Sequence, residues 1–149
     1  MKVQLGHLVL NVRSLKISER FYRRVLGMKK RRAGTVNGNA MVFLTFGSKD
    51  HDIALLEVGN LARPPAGACA GLRHIGFRIG DQIAHLRKFH KHLSRVGITP
   101  VRTAEHRVSQ SIYFRDPDGI EIEIYVDSKT PVWQSARQVR VTNASLHVA

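Results

Sequence analysis

The chain is short of cysteine, of acidic residues and of long apolar runs, and each shortage excludes something. One cysteine, Cys69, stands in 149 residues. A single thiol forms no internal disulfide and no cysteine-based metal knuckle, which suits a reducing compartment. No apolar run approaches the roughly 18 residues that a membrane-spanning helix needs. The opening stretch "MKVQLGHLVLNVRSL" is broken by Gly6, His7, Asn11 and Arg13, so it lacks the apolar block of a signal peptide. The expectation is a cytoplasmic protein with no membrane partner. Acidic residues number 11 against 24 basic ones, a formal charge of +13. Such a balance attracts anions. Yet the densest basic run, Lys29 to Arg32, has no aromatic interleaving and no zinc-finger or helix-turn-helix pattern around it. A solvated basic rim is expected there, not a specific nucleic-acid site.

What is present is a duplication. "GHLVLNV" (6–12) matches "RHIGFRI" (73–79), each a short apolar strand with a histidine at its start. Each is followed by a segment of helical spacing. The first, 14–28, carries Leu15, Phe21, Tyr22, Val25 and Leu26, with Ser14 as the expected N-cap. The second, 81–98, carries Ile83, Leu86, Phe89, Leu93 and Val96, with Asp81 as the expected cap. Gly27 and Gly97 stand where C-caps belong. Strand-like segments follow: "AMVFLTFG" and "HDIALLEV" in the first half, "TPVRTA", "VSQSIYFRD" and "IEIEIYVD" in the second. "RRAGTVNGNA" reads as a strand edge and turn, and "DPDG" (116–119) as a tight turn. The fold class predicted is α+β, a single domain of two tandem β-α-β-β-β modules. Module 1 covers about 3–60 and module 2 about 72–127, joined by a Pro/Gly/Ala-rich linker, about 61–71. A tail, 128–149, carries Trp133, which would dock onto the body or onto a second subunit.

Eight histidines are present. His85, His90 and His92 sit among lysines and arginines on the second helix and read as solvated, and His147 lies in the tail. His7 and His74 differ, because they occupy the same point of the two repeats, sixty-seven residues apart. Two neutral imidazoles and one carboxylate make the facial set that binds Fe(II) or a similar divalent ion, with coordination positions left open. In-strand carboxylates are at hand in Glu121 and Glu123, which alternate with Ile120, Ile122 and Ile124 and so share one face of their strand.

The paired histidine strands, followed by "YFRDPDGIEIE", resemble the vicinal oxygen chelate superfamily over about residues 3–127. That superfamily includes glyoxalase I, bleomycin- and fosfomycin-resistance proteins, methylmalonyl-CoA epimerase and type I extradiol dioxygenases. The resemblance implies an open cup-shaped sheet and one divalent metal on His7, His74 and Glu123, with Glu121 in a supporting salt bridge. Glyoxalase I and the epimerase usually add a fourth ligand on the last strand of the first half, where this chain has Ala54. Glu57, three residues on, does not substitute easily. "HDIAL" resembles the "H-D-x-A-L" run of extradiol catechol dioxygenases, which implies His51 as an acid/base. The tyrosine ten residues before the ligand glutamate falls on Tyr113. The family's substrate-binding histidine would fall at Ala104, so His106 takes that part only with a two-residue gap.

By that resemblance the protein is a metal-dependent extradiol ring-cleaving dioxygenase. It would use Fe(II), or Mn(II) as the alternative, on a catechol-type aromatic and O₂, with the basic surface favouring carboxylated aromatics. His51 would take and return a proton, an exchange that imidazole performs near neutral pH. Tyr113 and His106 would hydrogen-bond the substrate. Those relatives carry two double modules and this chain one, so a homodimer is expected. The alternatives are a thiol transferase or isomerase on the same scaffold, or a non-catalytic small-molecule binding protein.

Overall fold

A computed structural model describes residues 1–60, 70–106, 108–127 and the strand at 140–142. Cys69, Trp133, His147, most of the expected linker and most of the expected tail lie outside the described residues. The chain divides into two compact units, Met1–Ala70 and Gly71–Ala149.

Unit 1 runs β1 (Leu8–Val12), α1 (Leu15–Leu26), β2 (Lys29–Val36), β3 (Asn39–Thr45) and β4 (Ile53–Glu57). Its sheet order is β1-β4-β3-β2, with β1 parallel to β4 and the other pairs antiparallel. Unit 2 repeats the plan with β5 (Ile75–Arg78), α2 (Ile83–Arg95), β6 (Arg102–His106), β7 (Ser109–Arg115) and β8 (Glu121–Asp127). Its order is β5-β8-β7-β6-β9, where β9 (Arg140–Thr142) extends the edge. The α+β class and the doubled β-α-β-β-β plan expected from the sequence are both present.

Each helix lies on one face of its sheet. In unit 1 that face carries Leu10, Val42, Leu44, Ile53 and Leu55, all buried, against Phe21, Tyr22 and Val25 of α1. In unit 2 it carries Ile75, Ile112, Phe114, Ile122 and Ile124, with Phe114 stacked near Phe89 of α2. Each such side chain contributes roughly 1.5–3 kcal/mol by leaving water. Strand alternation then sends the remaining side chains to the opposite face, and the register decides which of them meet.

Turn chemistry fixes that register. Asn37 (φ 50°) and Gly38 (φ 82°) form the two-residue hairpin between β2 and β3, a connection that requires left-handed backbone at both positions. Between β7 and β8, buried Asp116 accepts the backbone N–H groups of Asp118 at 2.9 Å and Ile120 at 2.8 Å. The turn sets Arg115 opposite Glu121 and therefore Tyr113 opposite Glu123.

The helix ends differ from expectation at their starts. Ser14 holds the N-cap position of α1 but makes no side-chain cap bond. Glu57 does the work instead, its Oε1 accepting the Leu15 N–H at 2.9 Å. A carboxylate at a helix start also meets the positive end of the helix dipole. α2 begins one residue later than Asp81 would set it: Gln82 is at the N-cap position, again without a side-chain bond. Gly27 does end α1 in the left-handed conformation, at φ 71°.

Candidate functional site

The face of the unit 2 sheet turned away from α2 is polar. The register places Gly76, Glu123 and Tyr113 in one row across β5, β8 and β7, with Arg102 of β6 next to Tyr113. Their side chains are joined. The Tyr113 hydroxyl donates to Glu123 Oε1 at 2.5 Å. His74, just before β5, brings Nε2 to 3.1 Å from Glu123 Oε2. His106 Nε2 lies 3.3 Å from the Tyr113 hydroxyl. A phenol has one proton, and Tyr113 gives it to Glu123, so His106 must be the donor in this contact. Burial, and then the bond to Glu123, raise the Tyr113 hydroxyl above its ordinary value, so the phenol stays protonated at neutral pH.

Arg102 and Glu121 complete the face. Glu121 accepts a bond from Arg102 Nη2 at 2.7 Å, the supporting salt bridge expected of it. The guanidinium carbon of Arg102 stands 3.3 Å from the centre of the Tyr113 ring. A planar cation over an aromatic face is attractive, more so when partly desolvated. Neither Arg102 nor Gly76 has a motif that would mark it in the sequence. Only the strand register shows where they stand.

In unit 1, His7 precedes β1 and His51 precedes β4, and parallel pairing brings their rings to 4.5 Å between centroids. The connection from β3 to β4 is ordered by Asp52, whose Oδ2 accepts the Phe46 N–H at 2.8 Å and the Thr45 hydroxyl at 3.1 Å. Lys49 Nζ reaches the carbonyls of Leu5 and Gly6, each at 3.3 Å, and so holds the segment that presents His7. His51 Nδ1 lies 2.7 Å from Asp50 Oδ2, and its ring meets Phe43 edge-on at 5.0 Å. Asp50 and Lys49 are site-shaping residues outside the "HDIAL" motif, which itself contains Asp52. Ala54 is buried and pairs with Val9 and Phe43, while Glu57 is committed to the start of α1.

His74 Nε2 and Glu123 Oε2 already face each other, an imidazole nitrogen and a carboxylate oxygen of the expected donor set. Gly76 leaves the room: a Cβ there would stand 3.2 Å from Glu123 Oε2. His74 Nδ1 is buried with no hydrogen-bond partner, so Glu123 is what orients the ring. Among the described residues, neither unit by itself gathers three metal-ligating side chains. Unit 2 supplies two of the three expected donors side by side, and the imidazole and carboxylate pair suits a borderline divalent cation.

Comparison with known proteins decides the family. Residues 4–124 match the model of the Glyoxalase/Bleomycin resistance protein/Dioxygenase superfamily. The chain belongs to this superfamily. Among characterised members, biphenyl-2,3-diol 1,2-dioxygenase 3 of Rhodococcus globerulus is 34% identical over 136 residues, which is 84% of this chain and 64% of that protein. Biphenyl-2,3-diol 1,2-dioxygenase 2 of the same organism is 31% identical over 91 residues, 61% of this chain and 47% of the relative. This chain thus spans about half to two thirds of the length of these two dioxygenases. A glyoxylase/bleomycin resistance protein/dioxygenase domain from Frankia sp. EAN1pec has the same fold, with a TM-score of 0.74 at 24% identity, covering 87% of this chain and 95% of that one. Among the described residues, no helix is long and apolar enough to cross a membrane.

Proposed function

We propose that the protein is an extradiol dioxygenase that opens a catechol-type ring beside its two hydroxyls. The observation that carries this reading is the Tyr113 hydroxyl, held between Glu123 and His106 while His74 faces the other oxygen of the same carboxylate. The "HDIAL" run and the dioxygenases among the relatives support it. His7, His74 and Glu123 would hold one divalent metal, Fe(II) ahead of Mn(II). Bound there, it would supply the positive charge that acidifies a chelating diol, and the open positions for O₂.

The chain's own residues do the rest. His51 takes a proton from one substrate hydroxyl and returns one as the ring opens. Imidazole exchanges protons near neutral pH, and a base so placed is worth roughly 10²–10⁴ in rate. Tyr113 is a fixed donor: Arg102 covers its ring, and its raised ionisation keeps its proton in place. His106 donates to the Tyr113 oxygen and would offer the same N–H to a substrate hydroxyl. The small aromatic substrate, the homodimer and the cytoplasmic setting belong to the same proposal.

Oxygen uptake tests it. Protein loaded anaerobically with Fe(II) is expected to consume O₂ with at least one member of a catechol panel that includes biphenyl-2,3-diol. Binding of the metal with no uptake on any catechol would assign the scaffold to a different reaction. Absence of stoichiometric metal, with no gain in Tm on adding Fe(II) or Mn(II), would leave a binding protein.

A further inference from the structure

His51 does not stand alone in its loop. Its Nδ1 is 2.7 Å from Asp50 Oδ2. An ionised carboxylate only accepts, so Nδ1 carries a proton, and in the neutral ring Nε2 then keeps the lone pair. Asp50 is itself held. Arg32 Nη1 donates to its two oxygens at 2.5 and 2.7 Å, and Arg32, followed by His51, lowers the carboxyl to about 2. The same guanidinium stands 4.3 Å from the centre of the Phe43 ring, and Phe43 meets His51 edge-on at 5.0 Å. Arg32, Asp50, His51 and Phe43 therefore close a ring of four contacts around the imidazole. An exposed ion pair adds little to stability, and the Asp50 side chain is 54% exposed against 16% for His51. The geometry fixes an orientation more than it supports the fold.

We propose that Asp50, clamped by Arg32, is the positioning residue that holds His51 in the Nδ1–H form and leaves Nε2 as the atom that takes the substrate's proton. The second half of this rests on the dioxygenase reading, and the first half does not. A carboxylate or carbonyl acceptor on one ring nitrogen is the usual way a protein selects the working tautomer of a histidine.

Long-range ¹⁵N–¹H correlation spectra of the purified, chelator-treated chain near pH 8 test the first half, with His51→Gln to assign the signal. Wild type is expected to show the Nδ1–H pattern. Asp50→Ala should lose it, Asp50→Asn should keep part of it because the amide oxygen still accepts, and Arg32→Met should fall between. Tm should change little in all three. In turnover, Asp50→Ala is expected to lower kcat by roughly 10–100-fold with KM within about twofold, and Asp50→Asn to recover much of the loss. An Nε2–H pattern in wild type, or an unchanged pattern in Asp50→Ala, would overturn the Asp50 assignment whatever the turnover. The expected pattern together with no turnover of any catechol would overturn the dioxygenase reading and leave the Asp50–His51 pair standing.

Discussion

The two units answer the same register position in opposite ways. Where β8 of unit 2 meets its neighbours, Glu123 stands between Gly76 and Tyr113. At the corresponding place in unit 1, Ala54 stands between Val9 and Phe43. The arginine next to the aromatic is kept in both: Arg102 is paired with Tyr113 and stacked on it, and Arg32 with Phe43. Each arginine also holds a carboxylate, Glu121 in one unit and Asp50 in the other. One framework thus supports a hydroxyl and a carboxylate in unit 2 and an apolar row in unit 1. In unit 1 the polar chemistry moves to the strand ends, where His7 and His51 meet. A conserved scaffold fixes where a side chain points, and one or two substitutions on it decide what chemistry sits there.

Exchanging the central residues should give the largest effects. Glu123→Ala is expected to weaken metal binding by more than ~100-fold, since an oxygen donor is lost outright along with what orients His74. Isothermal titration with Mn(II) measures this. The reverse change in unit 1, Ala54→Glu, puts an unpaired carboxylate into a site that is 1% exposed. It should cost about 3 kcal/mol, or roughly 6–12 °C in Tm, without gaining a metal. An Ala54→Glu protein as stable as wild type would mean that the two rows are less different than their packing implies.

Next comes the aromatic. Tyr113→Phe removes the donor to Glu123 and should cut catechol turnover by about 100-fold while metal content stays whole. Phe43→Tyr adds a hydroxyl at the matching position and should change stability by less than about 1 kcal/mol and leave metal affinity unaltered. The glycine follows. Gly76→Val copies unit 1 into unit 2, and its Cβ would press on Glu123 Oε2 at 3.2 Å. That oxygen cannot withdraw without losing His74, and turning the carboxylate also pulls Oε1 away from Tyr113, so metal affinity should fall about tenfold. Val9→Gly, its mirror, should only weaken a strand by about 1 kcal/mol.

What the sequence reveals and what it hides follow one physical line. "NG" and "DPDG" announce their turns because the backbone conformation is decided within four residues. The repeat is legible because His7 and His74 open strands of the same pattern. Alternation puts Glu121 and Glu123 on one face, but only the register separates them, giving Arg102 to the first and Tyr113 and His74 to the second. The helix starts mislead for the converse reason. Ser14 has the local chemistry of a cap, yet Glu57, forty-two residues beyond Leu15, takes the role. His106 reaches Tyr113 despite the two-residue offset from the family spacing. Arg32, Arg102 and Gly76 act through partners far away in the chain, and Asp50, though next to His51, is held by the distant Arg32, so no local pattern marks them.

The smallest expected effect compares the two arginine clamps through acid titration. Arg32 and then His51 hold the Asp50 carboxyl at about 2, below its ordinary 3.8. A lowered carboxyl contributes stability above its unfolded value and loses it as the pH falls through the folded one. The Asp50 contribution is therefore complete above about pH 4 and gone below about pH 2. The side-chain carboxyl ¹³C shift of Asp50 follows this directly, and Arg32→Met should move the midpoint back toward 3.8. The leading cause is the hydrogen bond to Arg32 and not the longer-range attraction. Salt near 1 M, which shortens the Debye length to about 3 Å, should consequently remove only part of the shift. A midpoint that returned fully in salt would make the Arg32–Asp50 contact a diffuse attraction, too loose to hold His51 in one orientation.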